Sequence, residues 1–117
     1  MRLTLPACLS AFILAAAPAA SAASAGDVRS DLIEKIADIV AIGRLCPALE
    51  VDMINVTTVS RGSRIGERAE DYAVIETLAS AREGAVLRAG LTDSACLDGA
   101  RRYGPGGSTL PGMLRQR

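Results

Sequence analysis

Two cysteines 50 residues apart, Cys46 in "GRLCPALEVD" and Cys96 in "TDSACLDGARR", constrain this chain more than any other feature. Two cysteines can hold a metal, run a redox cycle or staple a fold. A metal site needs more ligands than these, and the chain has no histidine and no second cysteine pair. A thioredoxin-type site needs its two cysteines about one helical turn apart. A structural disulfide is the remaining reading, and it requires an oxidising compartment. Closing a loop of this length stabilises a fold by roughly 4 kcal/mol in the chain-entropy view.

The N-terminus supplies the compartment. "MRLTLPACLSAFILAAAPAASAASAG" opens with one positive charge, Arg2, then an apolar run to Ala17, then Pro18 and small residues. That layout predicts a secretory signal peptide over 1–22, with Ala20-Ser21-Ala22 in the peptidase pockets. Ala23-Ser24-Ala25 gives a second cut, after 25. The run is short for a membrane span of about 20 residues. Cys8 comes too early for a lipoprotein box and leaves with the leader. The expected product is a single small domain, 23–117, in the periplasm or secreted.

Charge narrows the partners. The whole chain carries 13 basic and 13 acidic residues, so losing Arg2 leaves 12 against 13. A net charge of −1 exerts no long-range pull on nucleic acid or an acidic membrane. Neither nucleic-acid binding nor stable membrane insertion is expected once the leader is gone. The apolar residues are mostly Ala, Val, Leu and Ile, and the only aromatics after the leader are Tyr72 and Tyr103. A core of small side chains removes little area from water per residue, so a staple matters here.

Helical periodicity dominates the rest. In "SDLIEKIADIVAIGRLC", Leu32, Ile33, Ile36, Ile39, Val40 and Ile42 form a wide apolar stripe. Asp31 and Glu34 have capping-box spacing, Ser30 is an alternative cap, and Asp31 can pair with Lys35. Pro47 then interrupts. Either the helix ends at Cys46 and Pro47 opens the next one, or one long helix kinks there. Residues 48–61 read both ways: Leu49, Met53, Val56 and Ser60 have helical spacing, while Leu49, Val51 and Met53 alternate. A helix is expected, because no second strong strand offers itself as a partner. After a glycine turn at Gly62 and Gly66, "ERAEDYAVIETLASAREGAVLRAGL" predicts the longest helix. Its inward side is Ala69, Tyr72, Ile75, Leu78, Ala79, Val86 and Ala89, with Gly84 as a weak point and Gly90 as a left-handed cap. A short helix capped by Thr92 or Asp93 carries Cys96, and Asp98 is spaced to pair with Arg102. "GPGGSTLPG" is a flexible loop by composition, and Leu110, Met113 and Leu114 fold back as one apolar turn before an exposed "RQR". The expected fold is all-α: a small bundle of about four helices stapled by Cys46–Cys96.

Catalytic machinery is hard to assemble from this inventory. Without histidine there is no Ser-His-Asp or Cys-His site, and Lys35, the single lysine, lacks Ser-x-x-Lys spacing. The acids Glu67, Glu70 and Asp71 cluster where a helix dipole favours negative charge, which is a sufficient structural reason for them. Glu50 and Asp52 fall on different sides of a helix. "GPGGST" lacks a P-loop lysine and follows no strand. Arg101 and Arg102 are expected to pair with acids across the surface. No catalytic, cofactor-binding or metal-binding residue is assigned, and the chain is read as a non-enzyme.

Three stretches carry a resemblance. "IADIVAIGRLC", "VLRAGLTDSACLDGARRY" and "GSTLPGMLRQR" are similar to the first helix, the second-cysteine region and the C-terminal end of a family of small secreted Gram-negative proteins, of the alphaproteobacterial kind, classed as a domain of unknown function. The resemblance covers about half of the mature chain and implies architecture and export, with no assigned activity.

These readings lead to an exported interaction or accessory protein that binds another envelope protein through an apolar groove between helices. Two alternatives accompany it. One is an acid-stress chaperone, since protonating the carboxylates near pH 2 to 3 takes the charge towards about +12. The other is a small inhibitor of an enzyme, with "YGPGGSTLPG" as its exposed loop.

Overall fold

The computed structural model describes residues 25–117; the leader and both cleavage positions lie outside the described residues, apart from Ala25 itself. Four helices, α1 (Ala25–Leu45), α2 (Met53–Gly62), α3 (Ala69–Ala89) and α4 (Thr92–Tyr103), are joined by two short strands, β1 (Leu49–Val51) and β2 (Leu114–Gln116). The fold is therefore mostly helical rather than all-α.

The central element is α1. Leu32, Ile33, Ile36, Ile39 and Ile42 are all buried, and Val40 packs against the same core. Ala37 and Ala41 are buried as well, against Ala79 of α3. Their small side chains let the two helix backbones approach closely. The helix starts at Ala25, so Ser30, Asp31 and Glu34 lie inside it and cap nothing. Asp31 does pair with Lys35 one turn on.

The helix does end at the cysteine, without a kinked continuation, but Pro47 does not open a second helix. α1 ends at Leu45, the Cys46 amide donates a last bond to the Ile42 carbonyl at 3.0 Å, and a tight turn leads into β1. Pro47 disfavours helical backbone at Cys46, and the chain takes an extended exit instead of starting another helix. β1 finds its partner at the far end of the chain. It pairs antiparallel with β2 in the register Leu49↔Gln116, Glu50↔Arg115 and Val51↔Leu114. Leu49 and Leu114 point inward and are buried, and Glu50 bonds Arg115 across the pair at 2.6 Å. Three-residue strands do not stand alone in water; burial of these leucines among α1 and α4 holds them. The expected helix over 48–61 is thus a strand followed by a helix. Asp52, expected on a helix face, is the α2 cap and accepts the Asn55 amide at 3.1 Å.

The expected inward side of α3 is corrected. Asp71 and Ala79 are buried and Ile75 and Val86 partly so, whereas Ala69, Tyr72, Leu78 and Ala89 are exposed. Gly84 does not divide the helix. Gly90 is the left-handed cap, at φ 66° and ψ 30°, and the amides of Gly90 and Leu91 return to the carbonyls of Leu87 and Val86. The next helix has Leu91 at its N-cap position with no side-chain bond, so Thr92 and Asp93 belong to its first turn. Gly99 lets α4 lie against α1: a Cβ there would come within 2.7 Å of Ile42. Cys46 and Cys96 are bridged beside this contact, with Cα atoms 5.8 Å apart.

The glycine-rich loop after α4 is tied down. The amides of Ser108 and Thr109 reach the carbonyls of Arg101 and Arg102, Gly112 reaches Gly104, and Met113 reaches Tyr103. This return satisfies the carbonyls at the end of α4 and delivers Met113 and Leu114 to the core.

Candidate functional site

The described residues present a groove of about 560 Å³ between α2 on one side and α1 and α3 on the other. Its apolar floor is built from Ile36, Val40, Val56, Ile65 and Ile75. The sequence places them there for separate reasons. Ile36 and Val40 extend the α1 stripe, Val56 is the one buried residue of α2, and Ile75 belongs to the α3 stripe. Met53 and Tyr72 stand at the edges and are mostly exposed, and Thr57, Ser60, Arg61 and Glu67 form the polar rim. The volume falls in the range of small-molecule sites, about 300–1,000 Å³.

Helix α2 forms one wall with few anchors. Val56 and Val59 touch the core, and Asn55 donates from its side chain to the Gly112 carbonyl at 2.9 Å. The Asp52 amide donates to Met113 at 2.8 Å. Ile54, on the outer face, is 78% exposed. Further exposed leucines, Leu87, Leu91 and Leu97, lie around the α3–α4 turn, away from the groove-lining residues.

A second recess, of about 570 Å³, adjoins the first at Glu67 and is lined by Val28, Arg29, Gly62, Ser63, Arg64 and Arg68. Arg29 is engaged by Asp71. Arg61, Arg64 and Arg68 make no ion pair among the described residues. Arg64 has a φ of 57°, the left-handed region that favours glycine.

Asp71 organises the ground between the two recesses. Its carboxylate accepts the Gly66 amide at 2.9 Å and the Arg68 amide at 3.4 Å, and it takes the Arg29 guanidinium from α1. The Arg29 bond, followed by the Gly66 amide, holds its pKa below the usual aspartate value. Of the three acids in the cluster, Asp71 alone is buried; Glu67 and Glu70 are exposed. Glu76 is likewise held down by Arg44, which it meets with both oxygens. Depressed carboxylate pKa values contribute stability that is present above the unfolded value and lost as pH falls through the folded one. The melting temperature is therefore expected to fall as pH drops from about 4 downwards. Asp71→Asn flattens that decline in a pH series of thermal melts; an unchanged slope contradicts the assignment.

A buried polar hub, missed by sequence reasoning, joins three helices. Asp38 of α1 is 7% exposed. It accepts the Tyr103 hydroxyl at 2.8 Å and meets Arg102 at 3.2 Å, both from α4, and Arg82 of α3 at 3.3 Å. Burial first, then the Asp38 carboxylate, pushes the Tyr103 phenol far above its usual pKa, so it remains a donor. Arg102 also pairs with Asp98 as expected, and its guanidinium sits 4.9 Å from the Tyr103 ring centre. The signal was an aspartate set among apolar residues in "IADIVAIG". Among the described residues no fully buried side-chain polar atom lacks a hydrogen-bond partner, the Tyr103 hydroxyl and the Asp38 carboxylate included.

Among the described residues no cluster of His, Cys, Asp and Glu can hold a metal ion, and no helix is long and apolar enough to cross a membrane. Compared with protein families, curated proteins and solved structures, the chain matches none.

Proposed function

We propose that this chain is an exported accessory protein that works in the periplasm by binding, without catalysing a reaction, and that the groove between α1, α2 and α3 is its binding surface. The observation that carries this reading is the groove itself: an apolar floor left open by a thinly anchored helix, where among the described residues no buried side-chain polar atom lacks a partner. The leader-like N-terminus and the bridged cysteines support export. The resemblance to small secreted Gram-negative proteins points the same way. Another envelope protein is the expected class of partner. The test is chemical crosslinking in periplasm followed by recovery of the tagged chain, comparing it with Thr57→Trp, which fills the groove from its half-buried edge. Recovery of a partner that the variant loses supports the reading. Equal recovery by both forms contradicts the groove as the binding surface, and no recovery by either contradicts a protein as its partner.

A second reading, an acid-activated chaperone, draws on Asp71. Its protonation releases Arg29 of α1 and the amides before α3, loosening one wall of the groove at low pH. Suppression of client aggregation at acid pH is expected on this reading, and no effect at an equimolar ratio rules it out.

A further inference from the structure

We infer that the groove and the arginine-lined recess together form one site for a single-chain anionic amphiphile, an acyl chain ending in a carboxylate or phosphate. This inference rests on the reading of the groove as a binding surface and names what occupies it. Two recesses share Glu67 in their linings and differ in the charged side chains they present. One is floored by Ile36, Val40, Val56, Ile65 and Ile75 and suits an alkyl chain. The other presents Arg64 and Arg68, while Arg61 stands on the rim of the first, and none of the three has an ion-pair partner among the described residues. Elsewhere among the described residues Arg29, Arg44, Arg82, Arg102 and Arg115 each meet a carboxylate, while Arg88, Arg101 and Arg117 do not; what sets Arg61, Arg64 and Arg68 apart is that all three line the two recesses. Three uncommitted guanidiniums beside one exposed carboxylate leave local positive charge on a protein with no net charge to spare. Guanidinium forks match a carboxylate or phosphate and lose little water on pairing. Neither a cationic nor a neutral head group has that match.

Arg64 supplies an unusually clean test. Its φ of 57° is comfortable for glycine and strained for arginine. Arg64→Gly therefore removes the charge while easing the backbone, so lost binding cannot be put down to lost folding.

The experiment uses the secreted chain and a dansyl-labelled fatty acid, displaced below the micellar concentration by amphiphiles of one chain length. Palmitate is expected to compete roughly tenfold better than hexadecanol, the effect of losing one charge-assisted contact. Hexadecyltrimethylammonium is expected to compete worse than either. Arg64→Gly, with an unchanged or higher melting temperature, is expected to weaken palmitate roughly tenfold and leave hexadecanol unaltered. Glu67→Gln removes the one opposing charge and is expected to tighten palmitate. A palmitoyl lysophosphatidic acid arm identifies the source: tighter than palmitate means a lipid phosphate, weaker means a free fatty acid, and both support the site. No displaceable binding, equal competition by the cationic chain, or Arg64→Gly with unchanged palmitate affinity overturns it. If lipid binding is absent while groove-dependent partner recovery persists, this inference falls and the binding-protein reading stands. Loss of both removes the reading itself.

Discussion

Replacing Cys46 with serine is expected to lower the stability of the folded chain by about 4 kcal/mol. The bridge to Cys96 closes a loop spanning 50 positions, and its removal restores the chain entropy of that loop to the unfolded state. The location adds to the effect. Cys46 is buried at the junction where α1 ends and the path to β1 begins, and Cys96 rides on α4 over the Gly99–Ile42 contact. Losing about 4 kcal/mol removes most of the stability of a small domain, whose total starts near 5 kcal/mol. Urea unfolding followed by far-ultraviolet circular dichroism measures it. Cys96→Ser is expected to match Cys46→Ser, and the double variant to match either, because both remove one and the same bridge. Reductant is expected to shift the wild-type midpoint and leave the variants unmoved. A wild-type midpoint that ignores reductant contradicts the staple.

The second large effect belongs to the hub. Asp38→Ala is expected to cost about 3 kcal/mol. The substitution leaves the Tyr103 hydroxyl buried without an acceptor and leaves Arg102 only Asp98, while Arg82, more than half exposed, turns to water at little cost. Tyr103→Phe is expected to cost about 2 kcal/mol, since it removes one bond to a charged acceptor and leaves Asp38 its arginines. The double variant separates hub from packing: the two costs are expected to fall short of adding, because the Asp38–Tyr103 bond is counted in both. Additive losses would mean that the two residues act independently.

Local signals were readable and distant pairings were not. The stripe of α1 repeats within one helix, so Leu32 to Ile42 could be placed from spacing alone, and their burial follows it. The Gly90 cap and the Asp31–Lys35 and Asp98–Arg102 pairs are likewise decided within a turn. The Cys46–Cys96 bridge was legible only because no other partner remained. Strand β1 could not be read, since three residues carry no periodicity and their partner stands 65 positions away at Glu50↔Arg115. The inner face of α3 misled because apolar residues surround that helix. Tertiary contact with Ala37 and Ala41 chose Ala79 over Leu78, as close helix approach favours the smaller side chain. The groove depends on how α2 lies against α1 and α3, which no local pattern encodes. The arginines looked like ordinary surface charge until the structure set Arg61 on the rim of the groove and Arg64 and Arg68 in the recess that shares Glu67 with it.

Binding through that opening is tested most directly by position. An aliphatic diazirine residue placed at Thr57, much smaller than tryptophan, looks into the groove without filling it, and one at Ala81 lies exposed on α3 outside it. With each form expressed and irradiated in the periplasm, intact-mass analysis reads any adduct, lipid or protein. Groove binding predicts a discrete adduct from Thr57 and none from Ala81. An adduct from Ala81 with Thr57 silent would place the working surface elsewhere and contradict the proposed site.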